Sequence, residues 1–252
     1  MKNNTAAIIQ ARMDSTRLPG KMGMKINEDQ RVLEFMIERI QRSELLDQII
    51  VATTTNPHDS YLIDIAHSCG VHCFTGSEDD VLGRVHDAAE YFNLDYIIDL
   101  TGDCPLIDGH IVDIIIKLYE IGYTDYVSNI IERTFPDGLD IQMYSFEVLS
   151  LLNDLIKEPE KREHVGWNVT EYLELFTTRN WEARGVMNWP ELGITIDTEE
   201  DLNMIRKILK YFRWKGKDPV EVSSYEIIQL LKDKPSMITN QSIVRKTPGQ
   251  GE

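Results

Sequence analysis

Short apolar runs and longer stretches of helical spacing take turns along the first 122 residues. Ala6–Ile9 reads as a buried strand, Val32–Ile40 as a helix with apolar residues at 32, 33, 36, 37 and 40, and Ile49–Ala52 as a second strand. A helix with apolar positions 62, 63, 65 and 66 is stopped by Gly70, and Val71–Phe74 forms a third strand. Residues 79–92 read as a helix, Tyr96–Leu100 as a fourth strand, and Ile111–Tyr119 as a helix ended by Gly122. Strands apolar on both faces, separated by helices of about 10–15 residues, predict βαβ units. The expected fold is α/β, with a mostly parallel sheet covered by helices on both faces. Such sheets bind ligands at the carboxyl ends of their strands, so the loops that follow the strands are where chemistry is expected.

The pattern changes between residues 123 and 190. Residues 126–144 read as two strands around Phe135-Pro136-Asp137-Gly138, and Phe146–Ile156 and Val165–Leu175 read as helices; Trp181, Trp189 and Pro190 follow. This block is expected to be a small inserted α+β subdomain, with residues 1–122 and 191–232 forming the α/β domain. Trp181 and Trp189 would bury either between subunits or in the core of the block. Gly193–Ile196 is expected to return to the sheet as a strand. The helix after it, to about Phe212, would be capped by Thr198 with Asp201 at its third position. Residues 223–232 read as a last helix, and 233–252 as a flexible tail.

The 252 residues include 42 acids against 26 Lys and Arg, a formal charge of −16. A surface that acidic repels nucleic acid and anionic lipid, which excludes both as general partners. No apolar run exceeds four residues, which predicts neither a membrane-spanning helix nor a signal peptide. Three cysteines, Cys69, Cys73 and Cys104, fit reduced thiols and a cytoplasmic protein better than a disulfide framework. A small anion remains a possible ligand, because it needs only a local cationic pocket.

The loop after the first strand offers one. In Gln10-Ala11-Arg12-Met13-Asp14-Ser15-Thr16-Arg17-Leu18-Pro19-Gly20-Lys21, three cations stand against one acid. Small and hydroxyl residues let backbone N–H groups approach an anion, and Pro19-Gly20 can turn Lys21 back into the loop. The spacing is not that of a Walker A loop. The string resembles the signature of the CMP-sugar synthetases, approximately A-R-x-x-S-x-R-L-P-x-K, at Ala11, Arg12, Ser15, Arg17, Leu18, Pro19 and Lys21. Within that family it is most similar to the branch named spore coat polysaccharide biosynthesis protein F, and the resemblance runs over residues 5–215. It implies a Rossmann-like nucleotide-binding sheet, with Arg12 and Lys21 as catalytic residues on the triphosphate and Arg17 as a further candidate. Gln10, Ala11, Met13 and Ser15 would complete the nucleotide loop.

Two carboxylates follow. Asp103, in Thr101-Gly102-Asp103-Cys104-Pro105, lies at the end of the fourth strand, either as a turn residue or as a ligand to Mg²⁺ beside a phosphate. Asp197, in Ile196-Asp197-Thr198-Glu199-Glu200-Asp201-Leu202, either complements a helix dipole or joins the ion. The resemblance assigns both to the metal, with Asp103 catalytic, and Asp99 reads as structural. Ser77-Glu78-Asp79-Asp80-Val81-Leu82-Gly83-Arg84 is also typical of the branch. There Ser77 and Arg84 are candidate nucleotide contacts, as is Thr53 after the second strand, while Ser77 alternatively caps a helix.

On the acceptor side, Phe135–Gln142 resembles an F-P-x-G-x-D-x-E element and Arg162-Glu163-His164-Val165 an R-E-H-V element, which makes Asp140, Gln142 and His164 acceptor candidates. His164 is alternatively a core or interface residue. The chain departs from the family pattern at Gln142, usually Glu, and at Gly166-Trp167-Asn168, usually T-P-Y. The resemblance implies a Mg²⁺-dependent transfer of CMP from CTP to a small acidic or phosphorylated acceptor, with release of pyrophosphate. The setting would be surface polysaccharide or glycoconjugate synthesis, by a homodimer. The alternatives are another nucleotide or a phosphonate acceptor, and a nucleotide-binding regulatory subunit without chemistry. A glycosyltransferase would carry a D-x-D element, which Gly102-Asp103-Cys104 is not.

Overall fold

The computed structural model describes residues 3–240. Four parallel strands form its centre: β1 (Thr5–Gln10), β2 (Gln48–Thr54), β3 (His72–Gly76) and β4 (Tyr96–Thr101). Helices α1 (Val32–Ile40), α2 (Ser60–Ser68) and α3 (Val81–Tyr91) connect them. β1 lies between β2 and β4, and Ala6 to Ile9 are wholly buried, as an all-apolar strand requires. Alternate residues feed two cores. Ala7, Ile9, Val51 and Leu100 pack with α1, α2 and later helices. Ala6, Ile8, Ile50 and Ala52 pack with Leu82, Val85 and Ala89 of α3 and with Leu149 and Leu152.

The chain steps outward from β1 to β2 and β3, then returns to place β4 on the other side of β1. That reversal opens a crevice at the carboxyl ends of β1 and β4, where Gln10 is in register with Thr101. After α4 (Gly109–Glu120) come β5 (Tyr126–Ser128), β6 (Gln142–Ser145), α5 (Phe146–Leu155) and β7 (Thr178–Asn180). β6 runs antiparallel to both β4 and β5, and β7 parallel to β5, so residues 123–190 extend the same seven-stranded sheet in the order β3-β2-β1-β4-β6-β5-β7. Trp181 packs on Phe135 with ring centroids 4.6 Å apart. Trp189 lies 3.9 Å below the Lys232 ammonium, and both rings pack against the chain's own main core.

The chain closes with α6 (Glu199–Trp214) and α7 (Ser224–Asp233). Thr198 and Asp201 form the expected reciprocal cap of α6: the Asp201 N–H donates to Thr198 Oγ1 at 3.3 Å and the Thr198 N–H to Asp201 Oδ2 at 2.8 Å. Arg39, wholly buried on α1, joins these helices to the β4–α4 loop. It donates to the carbonyls of Leu106 (2.8 Å) and Ile107 (3.2 Å), and to those of Pro219 (3.1 Å), Val220 (3.2 Å) and Val222 (2.7 Å).

Some expectations are corrected. Gly193–Ile196 is no strand; it makes one bridge, from Gly193 to Asp137. Its backbone serves the crevice instead: the Ile196 N–H donates to the Asp103 carbonyl at 2.9 Å, and the Ile196 carbonyl accepts from Lys21. Val165–Leu175 contains only a 3-10 turn over Gly166–Glu171. There the Asn168 amide donates to the carbonyls of Lys161 (2.8 Å) and Val165 (3.3 Å), a side-chain bond that competes with helical pairing. Residues 233–240 are not a loose tail, because buried Asn240 donates to the Gly193 carbonyl (3.1 Å) and to Asp201 Oδ1 (2.6 Å). The rest of the expected tail, 241–252, lies outside the described residues.

Candidate active site

A cavity of about 400 Å³ fills the crevice. Its floor is the loop after β1. The Ala11 N–H continues the strand pairing onto the Ala52 carbonyl at 3.2 Å, and then the N–H groups of Ser15 and Gly20 both donate to the Met13 carbonyl, at 3.0 and 2.8 Å. Gly20 has φ 76°, a left-handed conformation that L-residues other than glycine adopt at a cost of about 1–2 kcal/mol. The Pro19-Gly20 turn thus opens a 3-10 turn over Lys21–Gly23, with Lys21 buried against the cavity. Across the crevice a Cβ on Gly102 would stand 2.7 Å from Met22 Sδ and 3.1 Å from the Gln10 carbonyl, so only glycine lets the two loops meet.

Lys21 and the two aspartates converge. Lys21 Nζ is 3.4 Å from Asp103 Oδ2, 3.3 Å from Asp197 Oδ1 and 2.7 Å from the Ile196 carbonyl. The two carboxylate oxygens are therefore no farther apart than the sum of the first two distances. Asp103 follows the end of β4, as expected, whereas Asp197 sits on the irregular segment before α6. Arg17, half-exposed, pairs with Asp197 Oδ1 at 3.0 Å. Burial would raise the Asp103 carboxyl, but the Lys21 ammonium and a hydrogen bond from Thr101 outweigh it and hold it below its ordinary value.

Arg12 lines the cavity with no acidic partner within salt-bridge distance among the described residues. Arg84, buried on α3, lines it too. One of its Nη atoms donates to the Ser77 carbonyl at 2.5 Å, and its Nε has no partner. Burial, and then the nearby Arg12, lower the Arg84 pKa. Two incompletely paired guanidinium groups in one cavity have the chemistry to hold an anion.

The opposite wall holds Asp140, Gln142 and His164. Half-buried His164 faces the cavity rather than the core. Asp140 is held by both Nη atoms of Arg133, at 2.8 and 2.6 Å, and Asp137 is 3.6 Å from the same guanidinium. Gln142 Oε1 accepts from the Tyr126 hydroxyl at 2.7 Å, and a Cβ on Gly166 would lie 2.7 Å from that same Oε1. The two departures from the family pattern are therefore a single contact. Behind them Asp99, deeply buried, accepts from Gln10 Nε2 and from the Tyr144 hydroxyl (2.9 Å). Burial raises its pKa against the lowering effect of those donors and of the Gly166 N–H.

Sequence reasoning missed Arg133 and set Asp99 aside. The signal for Arg133 was an arginine four and seven residues before two acids of one turn. Three candidates fall outside the cavity. Thr53 is wholly buried within the sheet, so it cannot touch a ligand. Met13 packs toward Gly20 and Gly23, and its N–H donates to Asp59 at 2.7 Å. Ser77 does not cap α3; Asp80 does, accepting from the Gly83 N–H at 2.8 Å, while Ser77 Oγ accepts from the Asp80 N–H at 3.1 Å. Asp80 is also clamped by Arg162, with two contacts of 2.8 Å.

The family model described as cytidylyltransferase matches residues 6–138. The spore coat polysaccharide biosynthesis protein SpsF of Bacillus subtilis is 30% identical over 95% of this chain and 98% of that protein. A cytidylyltransferase structure from Leptospira borgpetersenii is 35% identical, with a TM-score of 0.88 over 97% of this chain and all of that one. A CMP:2-keto-3-deoxy-manno-octonic acid synthetase complexed with CTP shares the fold, with a TM-score of 0.65 at 16% identity over 83% of this chain and 99% of that one. Matched by the family over residues 6–138, which carry the loop after β1 and Asp103, and by relatives nearly end to end, the chain belongs to the cytidylyltransferases and is a nucleotidyltransferase related to SpsF and the CMP-sugar synthetases.

Proposed function

We propose that the enzyme transfers CMP from CTP to an oxygen of a small acidic sugar or related acceptor and releases pyrophosphate, in the synthesis of a surface polysaccharide or glycoconjugate. The observation that carries this is the division of the cavity into a guanidinium-lined side, with Arg12 and Arg84, and an aspartate pair centred on one cation. An acceptor oxygen attacks the α-phosphorus, and the bond to the pyrophosphate oxygen breaks. Arg12 and Arg84 stabilise the charge that develops on the phosphates, and the backbone of the Ala11–Ser15 loop positions them. Asp140, Gln142 and His164 line the side left for the acceptor, with Arg133 fixing Asp140.

The aspartate pair fits a divalent ion such as Mg²⁺: both carboxylates already face one cation, the Lys21 ammonium, and phosphate and water would supply the remaining oxygens. Bound there, the ion would neutralise phosphate charge and lower the pKa of the attacking hydroxyl. Leu151 and Leu155 on α5, and Leu173 and Leu175 in the turn before β7, stand exposed, which supports a homodimer through this region, to be read by light scattering. Three free cysteines support a reducing, cytoplasmic setting. Pyrophosphate release with CTP, ATP, GTP and UTP, across acidic sugars and phosphorylated acceptors, tests the function. Release with CTP and an acidic sugar is the expected result, and release only with another nucleotide overturns the cytidylyl assignment.

A further inference from the structure

Lys21 has three ammonium hydrogens and three protein acceptors: Asp103, Asp197 and the Ile196 carbonyl. None is left for a phosphate. Its two carboxylate distances, 3.4 and 3.3 Å, exceed the roughly 2.7–2.9 Å of a charge-assisted bond. The ammonium is anchored on the Ile196 carbonyl and stands about equally far from both carboxylates, shared by the two rather than paired with one; the half-exposed Arg17 reaches only Asp197, at 3.0 Å. Lys21 is buried, so solvent does not compete for it. The anion side of the cavity has its own cation in Arg12, which no acidic side chain among the described residues pairs, and does not need Lys21 in this state.

We infer that Lys21 is a resident counter-ion that keeps the aspartate pair closed to a bare divalent cation, so that the metal enters only with the nucleotide. Like charges repel strongly at such separations, and a divalent ion cannot share the two carboxylates while the ammonium lies between them. The phosphates of an incoming metal–nucleotide complex give the ammonium other acceptors, and as it leaves the aspartates the metal takes its place. Lys21 thereby couples the two ligands: neither metal alone nor a metal-free nucleotide opens the site fully. This inference rests on the nucleotidyltransferase reading of the cavity.

The test is Mn²⁺ binding to the full-length protein, followed by the EPR signal of the free ion, with and without CTP. The wild type should take up Mn²⁺ weakly alone and at least about tenfold more tightly with CTP, a factor equal to 1.4 kcal/mol. Lys21→Met should bind Mn²⁺ without nucleotide at least about tenfold more tightly than the wild type. Adding Asp103→Asn should erase that gain, which locates it at this site. Lys21→Arg keeps the charge and should stay at the wild-type value. If Lys21→Met does not fold, Lys21→Gln keeps the length without the charge and carries the same comparison. Unchanged or weaker Mn²⁺ affinity in the neutral variants overturns the inference. Calorimetry of CTP on the same wild-type samples separates the two failures. Absent CTP binding breaks the functional reading, whereas CTP binding without a gain in the Lys21 variants breaks only the counter-ion role.

Discussion

Arg39→Leu is a severe test of what holds the Asp103 loop. The guanidinium makes five hydrogen bonds to carbonyls, two of them on Leu106 and Ile107, just beyond Asp103. At about 1.5 kcal/mol for each bond from a charged donor, these contribute roughly 7 kcal/mol. Burial works against them: it lowers the Arg39 pKa from 12.5 to about 10, with Asp108 recovering part of the loss. At 1.36 kcal/mol per unit, that is a penalty of roughly 3 kcal/mol. The net loss expected on substitution is about 4 kcal/mol, inside the 3–5 kcal/mol typical of breaking a buried ionic contact. Urea unfolding followed by circular dichroism should show the midpoint fall by more than about 1 M. The folded fraction should also bind CTP more weakly, because the loop bearing Asp103 loses its anchor. A loss below about 1 kcal/mol would refute the reasoning, since it would mean that the carbonyls find other partners.

Asp103→Asn and Asp197→Asn should each lower turnover about a hundredfold or more with the fold retained, as read by pyrophosphate release and thermal melting. Gly166→Ala drives a methyl toward Gln142 Oε1 and Tyr144 Cε1, each 2.7 Å from the built Cβ. It should raise the acceptor KM while CTP binding measured by calorimetry is unchanged, at a stability cost of about 1–3 kcal/mol. Asp99 has a folded pKa above its ordinary 3.8, so the native state holds the extra proton and wild-type stability falls as pH rises from about 3.8 through the folded value. In Asp99→Asn that slope should be missing from urea midpoints measured between about pH 4 and 8. Asp103 has the opposite sign: its folded pKa is below 3.8, so its contribution is present above that value and is lost as pH falls through the folded value.

The central sheet was legible because β1, β2 and β4 are apolar on both faces and their helices carry clear helical spacing. The cationic side of the cavity was legible because it is largely contiguous: Gln10 to Lys21 is one loop, and its cations stand out against a net charge of −16. Elsewhere local pattern was overruled by long-range pairing. Gly193–Ile196 looks like a strand, but the Asp103 loop and Lys21 take its backbone groups. β7 is three half-buried polar residues at a sheet edge and offers no alternation to detect. Arg133 and Asp99 were hidden for another reason. Asp99 bonds Gln10 and Tyr144, 89 and 45 residues away, a pairing that one sequence does not display, and the spacing of Arg133 to Asp137 and Asp140 suggests an ion pair without showing that it faces a cavity. Thr53 and Ser77 sit beside the right strand ends, but Thr53 is wholly buried and the Ser77 hydroxyl is taken by the Asp80 N–H.

The buried amide of Asn240 changes the order in which this enzyme can come into being. It bonds Asp201, whose other oxygen accepts the N–H groups of Asp197 (3.1 Å) and Thr198 (2.8 Å). One of the two carboxylates of the crevice is thus braced, through Asp201, by a residue 43 positions further along the chain. A nascent polypeptide can pair β1 with β2 and β4 before Asn240 emerges from the ribosome, so the sheet can form before the crevice is complete. A prematurely terminated product ending at Thr239 is expected to remain folded but to be inactive. The cell would then hold an inert α/β protein rather than a half-competent transferase.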